Sequence, residues 1–479
     1  MVSSFHFIFC LFIGAAAAYN QTVIQQACNA TRWPESCQTT LTKFGLIPAD
    51  PSPFHILRSA LSLSSKSVGK AKFMVRAIVH YSGSNLNLTT TAKLCLQSLD
   101  NSAYRLHAAE EVLPLNKIKD ARAWTSAALS YQFDCLSGLK KVNETPMVGK
   151  TLSFMNNTLM MSTSNALSMM MSYEEFGNRS GWWRRPRTER EGFWEKVGVG
   201  SGPGHRPWVR TGLKANVTVC KGRGGWCSFG SVQMAVNAAP DNLGGGRRFV
   251  ILIKEGVYEE TVRVPLEKRN VVLIGEGMGK TVITGSLSVG QLGMTTYDTA
   301  TVGVVGDGFM ARDLTIQNTA GPDAHQAVAF RSDSDLSVVE NCEFIEKGGN
   351  SVIAAHGRTD PAQTTGFVFH KCVINGTEDY MKLYRKNPSM HQTFLGRPWK
   401  EFSRSVFVRC KLEALVSPLG WMPWDGDFAL KTLYFAEFGN SGLGSNLSGR
   451  VIWSSQIPVD HVIEYSAKNF IQGDDWMIN

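Results

Sequence analysis

The sequence LSVVENCEF at residues 336–344 decides how the second half of the chain is interpreted, because two later segments repeat its pattern. They are FVFHKCVI at 367–374 and VFVRCKL at 406–412. Each has an apolar stretch, a polar residue, a cysteine and a further apolar residue, and Asp313 holds the matching place in FMARDLTI at 309–316. Short apolar runs closed by glycine, such as RFVILI at 248–253, are typical of β-strands.

The spacing of these repeats favours a solenoid. The matching positions are 313, 342, 372 and 410, which are 29, 30 and 38 residues apart. Irregular repeats of this size, with β-forming residues and asparagine or glycine turns, fit a parallel β-helix whose coils bury their apolar faces against one another. A β-sandwich is the alternative, and the asymmetric spacing argues against it.

The first half of the chain, residues 19–175, has helical periodicity. Apolar residues from Ala92 to Leu106 recur at the spacings that place them on one helix face. Three further segments have similar patterns: Ile56–Val79, Ala121–Leu139 and Val148–Met171. Several amphipathic helices with short connections predict an up-and-down four-helix bundle.

Composition excludes some classes of protein. The chain has 479 residues, 43% of them hydrophobic and 19% charged, so it is neither disordered throughout nor fibrous. Its net charge of +9 suits a polyanion such as nucleic acid, anionic lipid or an acidic polysaccharide. Basic residues are not interleaved with aromatic residues on a β-platform, which argues against nucleic acid.

The N-terminus indicates export. Phe5–Ala18 is apolar and ends in Ala16-Ala17-Ala18, so residues 1–18 are predicted to be a secretory signal peptide, with a buried N-terminal helix as the alternative. No other run reaches eighteen apolar residues, so no membrane span is expected. Nine glycosylation sequons agree with secretion: Asn20, Asn29, Asn87, Asn143, Asn156, Asn178, Asn216, Asn375 and Asn446.

Cysteines of an exported protein are expected to pair. Removal of Cys10 with the signal leaves nine, so at least one has no partner. We predict the pairs Cys28–Cys37 and Cys95–Cys135, the second of which joins two helices, and we expect disulfide bonding at Cys220 and Cys227. No cysteine or histidine cluster has zinc spacing, so neither a metal site nor a cofactor is predicted.

Residues 176–214 change in character. They contain GWWRRPR at 181–187 and GVGSGPG at 198–204, which indicate a basic Gly/Pro linker. Arg184-Arg185 fits a subtilisin-like processing site, and a solvated charged loop is the alternative.

Two other motifs do not carry a function. GEGMGKT at 275–281 has Ile274 where a phosphate loop needs its first glycine, so we interpret it as a turn at the edge of a coil. His356 stands alone, and a lone histidine is usually structural. No G-x-S-x-G motif is present to support a serine hydrolase.

A set of segments, in order, resembles the plant pectinesterases. They are GVYEE at 256–260, GMGKT at 277–281 with ITG at 283–285, ARD at 311–313 with QNTAGP at 317–322, QAVA at 326–329, GRTDP at 357–361, LGRPW at 395–399, GDFAL at 426–430 and NFIQG at 469–473. The first half resembles the inhibitor-like pro-region of the same family. The resemblance implies a right-handed parallel β-helix over residues 215–479, behind a helical bundle.

The resemblance also implies a chemistry. Family members hydrolyse the methyl esters of polygalacturonate to pectate and methanol without a metal or cofactor. One aspartate is the nucleophile, a second is the general acid, glutamines stabilise the oxyanion and an arginine orients the nucleophile. A carboxylate is a weak nucleophile, so it needs a fixed geometry and a strong oxyanion site.

By position, Gln326 matches an oxyanion glutamine and Arg397 matches the orienting arginine. Trp399 matches the tryptophan that lines the sugar groove, and Thr296 matches a substrate-contacting threonine. The alternative for each is structural: a ladder residue for Gln326, a surface ion pair for Arg397 and a core position for Trp399.

The chain departs from the family between Phe344 and Ser351. The family places there a Gln-Asp-Thr-Leu segment and then an Asp-Phe-Ile-Phe-Gly segment, which hold the general acid and the nucleophile. Here both aspartates and the second oxyanion glutamine are absent. The odd cysteine count agrees, since the partner of a coil cysteine belongs to the lost stretch.

Another carboxylate could replace the nucleophile. Asp379, in GTEDY at 376–380, resembles the nucleophile segment but stands downstream of GRTDP, where the family has a different coil. Asp333, Asp335 and Asp360 are no better placed.

These observations predict a secreted, cell-wall member of the pectinesterase family that is inactive or nearly so. Its expected partner is pectin, and a second pectinesterase could bind through the helical half. One hypothesis is that the family activity is real and that the segment is missing because of an incomplete gene model or a splice form. A non-catalytic pectin binder or inhibitor of active relatives is the alternative from another class. A polygalacturonase or pectate lyase ranks last, because no cluster of acids is present.

Overall fold

The computed structural model describes residues 22–43, 47–48, 50–83, 85–142, 145–195, 213–222, 227–292, 294–346 and 351–477. The predicted signal peptide and residues 196–212 of the predicted linker lie outside these ranges. Within them, every helix is too short or too polar to cross a membrane.

The N-terminal domain is helical. Its helices are α1 (22–29), α2 (Pro34–Lys43), α3 (Pro53–Tyr81), α4 (Leu86–Val112), α5 (Ile118–Lys140), α6 (Pro146–Phe154) and α7 (Met161–Phe176), with a π-helical turn, Met155–Met160, joining the last two. The α3 helix packs against α4 and α7, and α5 packs against the same two helices. The predicted bundle is therefore confirmed, with α6 and α7 acting as one long member.

Local sequence explains where these helices begin and what joins them. Ser52 accepts a hydrogen bond from the backbone N–H of His55, which caps α3 ahead of Pro53. Disulfides join Cys28 to Cys37 and Cys95 to Cys135, as predicted. The second links α4 to α5 within the buried core of the bundle.

A first stack of parallel strands follows, and a third disulfide, between Cys220 and Cys227, comes directly after its first strand. Its strands are β1 (Val217–Val219), β2 (Phe249–Ile253), β3 (Gly256–Glu259), β4 (Val262–Val264), β5 (Val271–Ile274), β6 (Thr281–Gly285), β7 (Val302–Val304), β8 (Met310–Arg312), β9 (Thr315–Asn318), β10 (Phe330–Ser332), β11 (Val338–Glu340) and β12 (Glu343–Glu346). They form three parallel sheets in the orders β1-β2-β5-β8-β11, β4-β7-β10 and β3-β6-β9-β12. Helix α8 (Val232–Asn237) contributes Val232, Ala235 and Val236 to the core of this stack.

A second stack completes the chain. It contains β13 (Ser351–His356), β14 (Phe367–His370), β15 (Val373–Ile374), β16 (Thr393–Pro398), β17 (Arg404–Val408), β18 (Lys411–Leu412), β19 (Tyr434–Phe438) and β20 (Ser455–Gln456). Its parallel sheets are β13-β16, β14-β17-β19-β20 and β15-β18. Helix α9 (Glu378–Lys386) lies in one of its connections, and α10 (Ala467–Phe470) and α11 (Gly473–Trp476) follow its last strand. The C-terminal residues Ile471, Trp476 and Met477 reach the first stack and pack against its apolar strands.

The two stacks together are a parallel β-helix with an interruption. Among the described residues, no strand pairing joins β10, β11 or β12 to β13, β14 or β15. Each stack has its own apolar core. The β-helix predicted over 215–479 is therefore correct in kind, but it is divided where the resemblance indicates lost coils.

The repeat found in the sequence is one corner of the coils. Asn341, Lys371 and Arg409, each directly before a repeat cysteine, adopt positive φ angles of 50°, 55° and 53°. Asp313 has a φ of 58°, and the register of the flanking strands places it opposite Asn341 and places Leu314 opposite Cys342. The predicted match of Asp313 to the cysteines is thus wrong by one position, because the polar residue turns the corner and the following residue points inward.

Part of the predicted linker is structured. Short 3-10 turns occur at Ser180–Trp182 and Glu189–Glu191. The indole of Trp194 stacks on His461 with ring centroids 4.1 Å apart, and Arg190 donates to the carbonyl of Trp453 at 2.7 Å. This stretch therefore packs on the second stack.

Candidate functional site

Arg397 lies beside a pair of tryptophans on the second stack. Its guanidinium carbon is 4.4 Å from the centroid of the Trp424 ring, and the rings of Trp399 and Trp424 are 5.4 Å apart at an angle of 61°. Trp424 remains 42% exposed. We call Arg397, Trp399 and Trp424 the aromatic cluster; its two rings and one cation suit the apolar face and the carboxylate of an acidic sugar.

Strand β16 positions this cluster. Residues Thr393–Gly396 are buried, and Arg397 pairs with Ala355 of β13 in a parallel ladder. A Cβ at Gly396 would lie 3.0 Å from both the Ala354 carbonyl oxygen and the Trp421 ring, so any larger residue would push the strand or the indole out of place. The buried Trp421 stacks on Phe435 at 4.6 Å and supports β16 from below.

Trp424 was missed in the sequence analysis. It stands two residues before the GDFAL segment at 426–430, in the run GWMPWDGDF at 420–428. A second tryptophan so near a segment of the resemblance was the available signal.

Gln326 and Thr296 lie on the first stack instead. Gln326 is exposed in the connection between β9 and β10, and its backbone carbonyl accepts a hydrogen bond from Val289 at 2.9 Å. Thr296 is half-buried between β6 and β7, and its carbonyl accepts from the Thr299 hydroxyl at 2.8 Å. The predicted site residues are therefore divided between the two sides of the interruption.

Asp379 is a surface residue. It lies in the first turn of α9, its side chain is 92% exposed, and Lys382 contacts it at 3.0 Å. This is an ordinary ion pair one helical turn apart, which gives the carboxylate neither burial nor a held geometry.

The other acidic residues that were weighed have structural contacts. Asp333 pairs with Arg331. Asp360 is buried and accepts hydrogen bonds from the Ser164 hydroxyl at 2.7 Å and the Ala362 amide at 2.9 Å. The Asp335 carboxylate accepts from the Leu336 amide at 2.9 Å.

His356 has a structural environment, as the sequence predicted for a lone histidine. Its Nδ1 accepts a hydrogen bond from the backbone N–H of Arg404 at 3.0 Å, and Nε2 lies 3.2 Å from the Thr365 hydroxyl. Burial, together with Arg404 and Arg358, lowers the pKa of His356 well below its usual range. The imidazole is therefore neutral and holds β13 against β17.

Helix α5 of the bundle lies next to the aromatic cluster. Lys400, which follows Trp399, places its ammonium 3.9 Å from the Phe133 ring centroid and 3.7 Å from the Asp134 carboxylate. Burial lowers the pKa of Lys400. In the described ranges, no group of three or more His, Cys, Asp and Glu side chains could hold a metal ion.

Two family models match the chain. The pectinesterase model matches residues 216–348 and 345–474, two segments that meet at the interruption. The model for plant invertase/pectin methylesterase inhibitors matches residues 22–169, which is most of the helical domain.

Curated relatives extend over nearly the whole chain. A probable pectinesterase/pectinesterase inhibitor 64 of Arabidopsis thaliana is 52% identical over 95% of this chain and 84% of its own length. Pectinesterase 2 of Citrus sinensis is 32% identical, over 96% and 94% respectively. The first alignment has 507 positions, more than the 479 residues here, so the relative has residues where this chain has none.

Among solved structures, the pectin methylesterase from carrot is 37% identical, covers 56% of this chain and 96% of its own, and superposes with a TM-score of 0.48.

Proposed function

This chain belongs to the pectinesterase family and carries the inhibitor-like helical domain of its plant relatives, and from that membership we propose that it recognises methyl-esterified homogalacturonan while being impaired in its hydrolysis. We assign residues 19–175 to the inhibitor-like domain, 176–214 to a connecting segment and 215–479 to the pectinesterase-like domain. We also propose secretion to the plant cell wall, which the apolar N-terminal run and the sequons support.

The aromatic cluster supports recognition of the polymer. Galacturonate residues present an apolar ring face and a carboxylate or its methyl ester. The exposed Trp424 ring offers a stacking surface, and Arg397 lies 4.4 Å from it with a positive charge. Stacking on the ring and pairing with free carboxylates would bind partly esterified pectin.

The proposal that hydrolysis is impaired rests on the interruption between β12 and β13. Hydrolysis by this family needs an ionised carboxylate to attack the ester carbonyl, and a protonated carboxyl group to donate to the departing methanol. The segments that supply both groups in the family would lie between Phe344 and Ser351. Without those segments, Gln326 and Arg397 lie on separate stacks with no nucleophile or acid between them.

Binding without turnover is also the better-supported non-enzymatic role. The bundle residues Arg122, Ser126 and Ser164 are occupied by contacts with this chain's own residues 360–364. Inhibition of a second pectinesterase through α5 and α7 would have to displace those contacts. Pectin binding through the aromatic cluster requires no such displacement.

The test is methanol release from highly methylated pectin by the purified, folded chain, with the Asp379→Asn variant alongside. We expect no release above the buffer rate from either protein, together with measurable binding to the same pectin. Release that Asp379→Asn abolishes would identify Asp379 as a substitute nucleophile. Release from both proteins would refute the impairment and place the nucleophile elsewhere.

A further inference from the structure

Two cysteines without an assigned disulfide occupy the same corner of adjacent coils. Strand β14 pairs with β17 so that His370 lies opposite Val408, and β15 pairs with β18 so that Val373 lies opposite Lys411. Cys372 therefore lies opposite Cys410. The amide of Lys411 donates to the carbonyl of Cys372 at 2.8 Å, which holds the two coils in this register.

The geometry of a parallel ladder suits a bond between them. Directly opposed residues on neighbouring strands are about 4.8 Å apart, and their side chains point the same way. Disulfides span Cα separations of about 4.4 to 6.8 Å. Cys410 is buried with its sulfur 3.2 Å from the Phe369 carbonyl oxygen, and Cys372 is half-buried. A hydrogen bond from the Cys410 thiol lowers the pKa of Cys372.

The third unbonded cysteine is different. Cys342 lies opposite Leu314, so its neighbouring coil offers no sulfur. Burial raises the pKa of its thiol to about 12, which leaves almost no reactive thiolate at neutral pH.

We propose that Cys372 and Cys410 form a disulfide that joins two coils of the second stack, while Cys342 remains a thiol. The oxidant is a disulfide of low molecular weight or of an oxidoreductase. The Cys372 thiolate attacks one sulfur of the oxidant and forms a mixed disulfide with it, and the oxidant's other sulfur leaves as the first thiolate. Cys410 then loses its proton, attacks the Cys372 sulfur and displaces the second thiolate, so two thiols are oxidised and one disulfide is reduced.

The test is peptide mapping without reduction, after the full chain has been incubated with glutathione disulfide and alkylated with iodoacetamide. We expect one linked peptide pair containing Cys372 and Cys410, lighter by two hydrogens than the separate peptides, and alkylation at Cys342 once the protein is unfolded. The control Cys342→Ser should give the same pair.

Alkylation of both Cys372 and Cys410 would overturn the proposal, as would a Cys342–Cys372 link. The Cys410→Ser variant should leave Cys372 alkylated or joined to glutathione. If that variant does not fold, the map of the wild-type chain still decides among the three possible pairings.

A separate set of contacts concerns how the two stacks are held together. On the first stack, Arg105 of α4 donates to Asp307 at 2.8 Å and to the Val305 carbonyl at 3.3 Å. The Tyr104 hydroxyl donates to Asn242 at 3.1 Å. Tyr131 of α5 packs with Leu266 and Val305.

The same bundle also contacts the second stack. Arg122 of α5 donates to the Ala362 carbonyl at 2.9 Å, and Gln363 donates to the Ser126 carbonyl at 2.7 Å. Ser164 of α7 donates to Asp360 at 2.7 Å. Leu129, Leu167 and Met171 form an apolar cluster with Ala362.

We propose that the helical domain is a clamp in this chain, holding together two β-stacks that no strand pairing joins among the described residues. It acts beside the C-terminal segment, whose Phe470 packs on the second stack and whose Ile471 and Trp476 pack on the first. Replacing one partner of a buried ion pair such as Arg105–Asp307 lowers folding stability, because the other charge is left buried without a partner. Loss of the clamp would leave only the C-terminal contacts between the stacks and would loosen the edge strands β10–β12 and β13–β15. This role is independent of catalysis, so it can fail or hold whatever the result of the methanol assay.

Hydrogen–deuterium exchange on the full chain tests the clamp. Arg105→Gln and Arg122→Gln should each speed exchange in β10–β12 and β13–β15 by about tenfold, while exchange in α2 and α3 stays unchanged. Lys93→Gln, on the exposed face of α4, is the matched control. Unchanged exchange in the edge strands of both variants would overturn the proposal.

A second measurement covers the case in which those variants do not fold. A protease site placed between residues 195 and 213 would cut the otherwise native chain. We expect the cut protein to remain one particle in size-exclusion chromatography. Separation of the helical fragment from β-stacks that keep their protection would also overturn the clamp.

Discussion

Arg404 on β17 donates a hydrogen bond to Glu189 at 2.5 Å, although Glu189 comes from the segment that connects the two domains. Arg358 contacts the other carboxylate oxygen at 3.4 Å. The three side chains are only 3% to 6% exposed. The connecting segment is thus anchored in the second stack by a buried carboxylate between two guanidinium groups, downstream of Arg184-Arg185.

Glu189→Gln should destabilise the folded chain and change its acid sensitivity. Burial alone would raise the pKa of Glu189. The charges of Arg404 and Arg358 outweigh burial and lower that pKa from its ordinary 4.5 to about 2. A lowered pKa gives stability that is present above pH 4.5 and lost as the pH falls towards 2. We expect Glu189→Gln to cost about 3 kcal/mol near neutral pH, measured by urea denaturation.

The pH dependence distinguishes this ion triad from simple packing. The difference in unfolding free energy between wild type and Glu189→Gln should shrink as the pH falls from 4.5 to 2. Glu259→Gln, at an exposed position on β3, should differ little from wild type at any pH. A constant difference across that range would contradict the assigned pKa.

Much of the architecture could be predicted from local patterns. Helical periodicity around Leu99 and Leu106 located the bundle, and the recurring cysteines located the coil corners. Helical periodicity depends on residues close in sequence, and a coil corner depends on a short pattern that each coil repeats. Short segments therefore suffice to predict both features. The misplaced Asp313 shows the limit, because positive φ belongs to the polar residue and burial to the residue after it.

The site and the domain contacts could not be read in the same way. Gln326 and Arg397 were each matched by position to family residues, a match that stays a prediction. Their placement on two separate stacks follows from how the coils before Phe344 and after Ser351 stack, which no single segment encodes. Arg105–Asp307 and Ser164–Asp360 join residues about 200 positions apart. No local periodicity predicts which polar residue of a helix meets which loop of a distant solenoid.

Asp335→Asn should reduce the loss of folding stability that occurs as the pH rises towards neutrality. Burial and the neighbouring Asp307 raise the pKa of Asp335 to about 7, with Arg105 opposing and Asp120 adding to the shift. A raised pKa gives stability that is full below the ordinary 3.8 and lost as the pH rises through 7. Wild type should therefore lose stability over that interval more than Asp335→Asn does.

Melting temperatures between pH 4 and pH 8 check this prediction. We expect the decline in wild-type Tm over that interval to exceed the decline in Asp335→Asn by about 2–4 °C. Asp474→Asn, at an exposed residue of α11, is a control for the change of charge. Parallel curves for wild type and Asp335→Asn would contradict the prediction.

Trp424→Ala should weaken pectin binding. The exposed ring lies against both Trp399 and Arg397, so its removal takes away a stacking surface and loosens the guanidinium. Aromatic contacts of this kind contribute about 1 to 1.5 kcal/mol, which corresponds to a roughly tenfold rise in Kd. Affinity electrophoresis in pectin gels would measure it.

The control for that experiment is Trp182→Ala, which removes a tryptophan that is 59% exposed on the helical side of the chain. Its mobility in pectin should match wild type. Equal binding by all three proteins would remove the aromatic cluster from pectin recognition.

If the proposed impairment comes from the interruption, coils supplied at that point should give the chain methylesterase activity. The two matches of the pectinesterase family model meet at residues 345–348, and the Arabidopsis thaliana relative aligns over 507 positions, more than this chain has. We therefore choose that relative as the source of a graft between Phe344 and Ser351. The graft would add paired strands between β10–β12 and β13–β15, and would bring Gln326 and Arg397 onto one continuous stack. We expect methanol release from methylated pectin to rise at least a hundredfold above the ungrafted chain, because a nucleophile and an acid are supplied together.

Two variants of the graft make the result specific. Changing both grafted aspartates to asparagine should abolish methanol release. In the grafted chain, Arg397→Ala should reduce methanol release strongly. Exchange protection in β11 and β14 would report whether the coils have joined. A joined, folded graft that releases no methanol would show that the interruption does not explain the proposed impairment, and that Gln326 and Arg397 do not form a competent site.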